Sequence, residues 1–70
     1  MFIKVTYVDR DGRPDEEDHY INADHILHMY GEDFKGHFLT HVEFYNGHSI
    51  RVLELPSVIL KMIDGGMHHE

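Results

Sequence analysis

The pattern of hydrophobic and polar positions begins with two short stretches that favour β structure. β-branched and aromatic side chains dominate residues 2–8 with partial alternation, which predicts a strand whose Ile3 and Val5 face the core. Residues 19–22 predict a second, shorter strand. Residues 9–18, between the two, are dense in turn-forming and acidic residues and are therefore predicted to form a loop.

A turn and a third strand are predicted next. At the turn, the side chain of Asn22 or Asp24 can accept hydrogen bonds from nearby backbone amides. The third strand spans residues 25–30, with Ile26 and Met29 facing inward. Because that spacing of three interrupts the strict alternation of a strand, we expect a bulge or a local twist there.

The clearest predicted element is a β-hairpin formed by residues 38–45 and 48–54 around the Asn-Gly dipeptide at 46–47. A two-residue loop would mix apolar and charged side chains on both faces of this hairpin. A three-residue loop with its glycine in the left-handed conformation pairs Phe44 with His48 and gives one apolar and one mostly polar face, so we predict that register. Its further pairs are Val42–Ile50, Thr40–Val52, Glu43–Ser49, His41–Arg51 and Leu39–Leu53.

A C-terminal helix is predicted over residues 56–63. Proline is favoured in the first turn of a helix, so Pro56 marks its start, and the Asp-Gly-Gly sequence at 64–66 is expected to end it. Leu60 lies off the apolar stripe that is expected to face the sheet. That stripe consists of Val58, Ile59, Met62 and Ile63.

Length and composition limit the chain to one small domain. A domain of 70 residues buries only about 60% of the surface that its unfolded chain exposes. We predict a single α+β domain over residues 1–64, an antiparallel sheet of about four to five strands with one C-terminal helix packed on it, and a flexible tail over residues 65–70. No apolar run approaches the roughly 18 residues that span a membrane, and the N-terminus lacks the apolar core of a signal peptide. The expected location is the cytoplasm of a bacterial or phage-infected cell.

Charge limits the kind of partner. Thirteen acidic residues outnumber six lysines and arginines, for a net charge of −7. This balance disfavours nucleic acid or an anionic membrane as a direct partner, because both require a basic surface. It suits another protein with a basic surface, and it suits plain solubility equally well. Eight histidines leave a metal- or pH-responsive module open as a further alternative.

No motif predicts catalysis, a cofactor or a metal site. The chain has no cysteine nucleophile and no phosphate-cradling glycine loop. A calcium loop beginning at Asp9 fails, because Arg13 and Pro14 occupy its fifth and sixth positions. His41 and Glu43 share a strand face and could form an acid–base pair, but ordinary polar residues on a wet face account for them better. We therefore expect no enzyme, no cofactor and no metal.

Two loops are the strongest candidates for binding a partner. The loop over residues 9–18 has six acids that can meet Lys and Arg side chains of a partner. In the loop over residues 31–36, Phe34 lies between two glycines and can serve as an aromatic anchor at a loop tip. The plainer interpretations are a solubilising loop and a phenylalanine folded back onto the core. The predicted partner-binding residues are Asp9, Asp11, Asp15, Glu16, Glu17, Asp18, Glu32, Asp33 and Phe34.

Three leucines suggest self-association. Leu39 and Leu53 lie on the nominally wet face of the predicted hairpin, and Leu60 lies off the inward stripe of the helix. Scattered exposed leucines are normal on protein surfaces. Because a chain this short has little core of its own, we nevertheless expect these three positions to favour a homodimer.

Several short stretches follow the order of elements in a known family. On these stretches the chain resembles the small flagellar FlbD/SwrD-type proteins, which implies a non-catalytic cytoplasmic accessory protein of bacterial flagellar motility. The loops at 9–18 and 31–37 are longer than the tight turns of that family, and a similar pattern recurs in the sheet portions of LytTR DNA-binding domains. The resembling stretches are residues 3–6 (Ile-Lys-Val-Thr), 21–26 (Ile-Asn-Ala-Asp-His-Ile), 46–52 (Asn-Gly-His-Ser-Ile-Arg-Val) with Glu54, and the helix over 58–63.

Size, charge and the two long loops favour one function over the others. We expect a small protein-binding inhibitor or regulator that docks its acidic loops on a basic, nucleic-acid-binding partner protein. Stand-alone acidic chains of this size look like phage-encoded inhibitors, anti-CRISPR proteins among them. The flagellar accessory protein and the histidine-based module remain the alternatives.

Overall fold

The protein is built from two antiparallel sheets and one helix. A computed structural model describes the backbone of residues 1–67 and the side chains of residues 1–65. The predicted α+β class, with a C-terminal helix packed on the strands, is confirmed. β1 pairs with β2, and β3, β4 and β5 form a second sheet in that order. The elements are β1 (Phe2–Val5), β2 (His19–Asn22), a 3-10 turn (Ala23–His25), β3 (Ile26–Phe34), β4 (His37–Phe44), β5 (Ser49–Val52) and α1 (Pro56–Met67).

The N-terminal segment joins the two sheets. The predicted strand over residues 2–8 is one extended run, but only Phe2–Val5 pairs with β2. Residues 6–8 then run along the free side of β5, where Val8 N donates to Arg51 O at 3.0 Å and Leu53 N donates to Thr6 O at 2.9 Å. This segment therefore extends the three-stranded sheet by a short stretch of backbone pairing beside β5.

Hydrogen bonds to Glu54 stabilise the segment where the chain passes from one sheet to the other. The carboxylate of Glu54 accepts hydrogen bonds from Thr6 N and Thr6 Oγ1, both at 2.8 Å. Thr40 is fully buried, and its hydroxyl donates to Glu54 O at 2.6 Å. Because a buried polar group that lacks a partner costs about 1–3 kcal/mol, these bonds allow the polar residues to lie beside the core.

The predicted register of the hairpin between β4 and β5 is confirmed. Val42 faces Ile50, and Phe44 N donates to His48 O at 2.9 Å across the three-residue loop. Gly47 has φ of +91°, the left-handed conformation that this loop requires and that favours glycine. The predicted pair of Leu39 with Leu53 does not form, because β5 ends at Val52 and Leu53 pairs with the N-terminal segment instead.

The third strand is longer than predicted. The expected bulge is present, as a shift of register between Ile26 and His28. The strand then continues to Phe34 and turns into β4 through Lys35 and Gly36, whose φ values of +54° and +81° are those of a type I′ turn. The predicted loop over residues 31–36 is therefore wrong, because pairing with β4 overrides the low strand propensity of glycine and acidic residues.

The turn before β3 forms as predicted. The side chain of Asn22 accepts a hydrogen bond from Asp24 N at 3.1 Å, which caps the 3-10 turn. The same oxygen lies 3.3 Å from the N-terminal amine of Met1.

The helix also runs further than predicted, to Met67. The Asp-Gly-Gly sequence at 64–66 lies within the described helix, since a glycine lowers helix stability by about 1 kcal/mol without blocking the helical conformation. Ile59 is fully buried against the sheet, and Val58, predicted to face it, is 43% exposed. Of the predicted tail, residues 68–70 lie outside the described part of the chain.

The core lies between the two sheets and the helix. Val42 and Ile59 are among its members and, like Ile3 and Val5, face inward as predicted. The cluster of buried residues consists of Ile3, Val5, Ile21, Val42, Val52 and Ile59.

Leu39 is the principal correction to the predicted surface. It lies on the outer face of the three-stranded sheet, which is the face turned away from this core and bearing His28, Tyr30, Glu32 and Arg51. Yet Leu39 is 0% exposed. Gly12 is buried over the same end of the sheet, where a Cβ atom on it would lie 3.1 Å from His37 Cδ2. The predicted wet face is therefore covered here by the loop over residues 9–18.

Leu39→Ala should lower the free energy of unfolding by about 2–5 kcal/mol, because it leaves a cavity at a fully buried site. Leu60→Ala is the matched control. Leu60 is 56% exposed, and its truncation should change stability by no more than about 0.5 kcal/mol. Urea unfolding followed by circular dichroism measures both, and equal losses for the two variants would contradict the buried placement of Leu39.

Candidate docking surface

The acidic loop, residues 9–18, is an ordered turn rather than an open loop. Asp9 N donates to Arg13 O, and Asp15 N donates to Tyr7 O, at 2.9 and 2.8 Å. The carboxylate of Asp9 accepts from the amides of Asp11 and Arg13, both at 2.9 Å. The Arg13 amide is the main reason that the pKa of Asp9 lies below its ordinary value, with a further contribution from the Asp11 amide.

Asp15 fixes the second half of the acidic loop. Its carboxylate accepts from Glu17 N at 3.0 Å and lies 3.0 Å from Nε2 of His19. The Glu17 amide, and then His19, hold the pKa of Asp15 below its ordinary value. The His19 ring stacks on Tyr7 with centroids 3.9 Å apart and an interplanar angle of 8°, so Asp15 is tied to the edge of the core.

The remaining acids of the loop project into solvent. Asp11, Glu16 and Glu17 are exposed, and Asp18 forms an exposed ion pair with Lys4 at 3.4 Å. An exposed pair of this kind contributes about 0–1 kcal/mol, so it does not withdraw Asp18 from the surface. All six acids predicted in this loop are therefore exposed on an ordered segment.

A groove borders this surface. It has a volume of about 550 Å3, within the range of about 300–1,000 Å3 that is typical of ligand sites. Four carboxylates and three largely apolar side chains line it. The lining residues are Tyr7, Val8, Asp9, Pro14, Asp15, Glu16 and Glu17.

The other predicted binding residues lie elsewhere, at the distal end of β3. The predicted placement of Phe34 on a loop tip is wrong, whereas its role as an anchor stays a prediction. Phe34 lies in β3, half-buried, with the Arg51 guanidinium 4.1 Å from the centroid of its ring. Glu32 faces the same way and lies 3.4 Å from Arg51 Nε, whereas Asp33 is exposed. Phe34 and Glu32 therefore have partners within the chain.

A line of ionisable groups crosses the outer face at this point. His41 Nδ1 lies 3.2 Å from Glu32 Oε1 but outside hydrogen-bond geometry, and this buried nitrogen has no hydrogen-bond partner among the described residues. On the other side, His41 Nε2 lies 3.7 Å from Glu43, whose second oxygen is 3.1 Å from His28. Tyr30 stacks on His41 with centroids 5.0 Å apart. His41 and Glu43, which were predicted to lie on a solvent-exposed face, are thus part of a partly buried network. The side chain of His41 is only 15% exposed.

The three leucines do not form one described patch. Leu39 is buried, and only Leu53 and Leu60, 42% and 56% exposed, are open to solvent. Leu60 borders a shallow groove on the helix with Lys61, Ile63 and Asp64. The leucine-based prediction of self-association therefore loses one of its three residues.

Sequence reasoning missed the residues that order the acidic loop. Tyr7 and His19 hold it from outside, and Gly12, with φ of +83°, turns its tip toward the sheet. Asp15, Glu17 and His19 also bring one potential ligand atom each within 4.8 Å of one another. Two of the three are exposed carboxylates, and a hydrogen bond between Asp15 and His19 already accounts for part of this proximity.

Comparisons add no relative to these observations: no family model, curated protein or solved structure matches the chain. Within the described residues, no helix combines the length and the apolar character needed to cross a membrane.

The pKa values of Asp9 and Asp15 should both be lower than those of aspartates in unfolded peptides, which titrate near 3.9. Because the folded-state pKa is the lower one, the ionised carboxylates stabilise the fold above about pH 4, and this contribution is lost as the pH falls through the native pKa. Carboxyl carbon chemical shifts measured by NMR give these values. The amide of Arg13 should titrate with the same midpoint as Asp9, and Asp9→Asn should abolish that titration. An Asp9 pKa at or above the peptide value would contradict the ordered turn.

Proposed function

We propose that this chain is a non-catalytic protein-binding inhibitor or regulator, which docks its acidic loop on a basic surface of a partner protein in a bacterial or phage-infected cell. The observation that carries this proposal is the groove beside the loop, where four carboxylates lie beside apolar side chains. Phage-encoded inhibitors such as anti-CRISPR proteins act in this general manner, by occluding the nucleic-acid channel of a larger complex.

The lining of the groove suits a lysine or arginine side chain of the partner. Both side chains have an apolar stem and a charged head. Tyr7, Val8 and Pro14 provide apolar surface for the stem, and the carboxylates of Glu16 and Glu17 can meet the head. A guanidinium bound by a carboxylate through two hydrogen bonds is among the stronger polar contacts in proteins, which favours arginine.

The order of the loop favours binding over a purely solubilising role. A disordered loop loses conformational entropy when a partner fixes it, and this loss weakens the complex. Asp9 and Asp15 hold the acidic loop through four hydrogen bonds of 3.0 Å or less, to the amides of Asp11, Arg13 and Glu17 and to His19. Much of the conformational entropy of the loop is therefore already lost in the free protein, so binding a partner costs less.

Electrostatics gives the proposal a measurable signature. Complementary charge raises the association rate and fixes the register of a complex, and salt screens both effects. With a net charge of −7, the chain should bind its partner more slowly and more weakly as the ionic strength rises.

A second candidate, the flagellar accessory function, is favoured by one contact. Thr6 and Glu54, which belong to two separate stretches of the family resemblance, lie together through two hydrogen bonds of 2.8 Å. A gene neighbourhood without flagellar genes, together with unchanged swimming after deletion of the gene, would remove this candidate.

Reversing two charges beside the groove, in Glu16→Lys/Glu17→Lys, should weaken binding to the partner by roughly tenfold or more, equivalent to about 1.4 kcal/mol. The partner is first identified by affinity capture from the native host and mass spectrometry, then purified for calorimetric titration at low and high salt. Asp24→Lys/Asp64→Lys is the matched control, because it changes the net charge equally at acids outside the groove.

The control should retain most of the affinity, and the affinity of the unmodified chain should fall as salt rises. An equal loss of affinity in both double variants would show that net charge alone, and not the groove, determines binding, and would contradict the proposal. Tight binding with an affinity that changes neither with salt nor with the Glu16→Lys/Glu17→Lys reversal would overturn the proposal.

A further inference from the structure

The described chain leaves one side of β3 without a partner. β3 is the outermost strand of its sheet and spans nine residues, Ile26–Phe34. Its neighbour on the inner side is β4, and none of the described residues hydrogen-bonds to its outer side over 28–34. A long strand with a free edge is a template for pairing with another strand, and natural proteins usually shorten or cover such edges.

The turn between β3 and β4 determines which backbone groups are free. A two-residue type I′ turn makes Phe34 and His37 a hydrogen-bonded pair, and the two kinds of pair then alternate along the strands. Tyr30 therefore directs its backbone groups to β4. Met29, Gly31 and Asp33 direct theirs outward, and the exposed Gly31 and Asp33 leave this edge open to solvent.

We infer that β3 pairs antiparallel with β3 of a second copy of this chain, in the register that places Tyr30 opposite Tyr30 of the second copy. The basis is the self-complementary sequence of the strand. In this register, His28 of each chain lies opposite Glu32 of the other, on the same face of the joined sheet. Met29 and Gly31 then form two hydrogen-bonded pairs across the two-fold axis.

Neighbouring registers lack this complementarity. A shift of one residue would move every side chain of one strand to the opposite face of the sheet. The register can therefore shift only in steps of two residues. One such shift places Tyr30 opposite Glu32, and the other places it opposite His28. A further shift places Glu32 opposite Glu32, where like charges repel. The Tyr30-centred register is therefore favoured.

The side chains at the centre of the pairing are exposed in the single chain. Tyr30 is 46% exposed. Paired tyrosines across two strands add contacts that stabilise a sheet. The bulge between Ile26 and His28 ends the regular strand, and so limits the pairing to the residues beyond it. This inference concerns a different edge of the molecule and does not depend on the proposed function.

Disulfide trapping tests both the dimer and its register, because the chain has no cysteine of its own. In the inferred register the two Tyr30 residues form a non-hydrogen-bonded pair, with Cα atoms about 4.5 Å apart, which is within the range for a disulfide. Tyr30→Cys should therefore form a covalent dimer rapidly under mild oxidation. Tyr45→Cys is the control for random collision, because Tyr45 is 70% exposed and bonds to His25, beyond the bulged end of β3 and outside the inferred pairing.

Two further variants test the register if Tyr30→Cys folds poorly. In the inferred dimer, each of His28 and Glu32 lies four residues, or about 13 Å, from the same residue of the other chain. His28→Cys and Glu32→Cys should therefore not form disulfides alone, but a mixture of the two should form a mixed disulfide. Circular dichroism of each variant checks that the fold is retained.

The unmodified protein provides the remaining readout. Light scattering after size exclusion should give a mass that rises with concentration from 8.3 kDa toward twice that value. A mass that stays at 8.3 kDa up to NMR concentrations overturns the inference, even if a foreign strand later pairs with β3. Rapid disulfide formation by Tyr45→Cys, or by His28→Cys alone, overturns the register.

Discussion

The structure depends on how the N-terminal segment changes partner at Thr6. Up to Val5 the segment pairs with β2, and from Thr6 onward it pairs with β5, so a single residue joins both sheets. That passage exposes a backbone amide and a hydroxyl near the core. Glu54 accepts from both, and its own carbonyl accepts from the buried Thr40. Satisfying these groups in one place lets the two-stranded sheet, which is too small to be stable alone, share one core with the three-stranded sheet.

The same passage determines where the acidic loop lies. Because Val8 bonds to the carbonyl of Arg51, the loop that follows must begin at the edge of β5. The side chain of Arg51 reaches the other way, over Phe34 and toward Glu32. One residue of β5 thus connects the start of the acidic loop with the far end of β3. The buried Gly12 and Leu39 show the result, a sheet that is covered on both faces at this end.

The local pattern of apolar and polar positions was sufficient to predict the structure where the choice of the buried strand face determines it. The hairpin register followed from keeping Val42 and Ile50 on one side, because a shift of one residue would turn every apolar side chain outward. It was insufficient for β3, whose Gly31 and acidic neighbours disfavour a strand until β4 pairs with them. Leu39 was misplaced for a related reason, since a loop distant in sequence covers it. In the acidic loop, the sequence was enough to predict the exposed acids but not their ordered arrangement, which depends also on Tyr7 and His19 outside the loop.

The two proposed surfaces begin at opposite edges of one sheet. The strand order places β3 at one edge and residues 6–8, from which the acidic loop begins, at the other. In a dimer paired through β3, seven strand spacings of about 4.8 Å would separate the two starting points by about 34 Å. That separation is several times the Debye length of about 8 Å at physiological salt, so repulsion between the two acidic loops is largely screened. Pairing at one edge is therefore compatible with the negative charge of the chain. It would place two acidic loops on one assembly, an arrangement that strengthens binding to a partner with repeated basic sites.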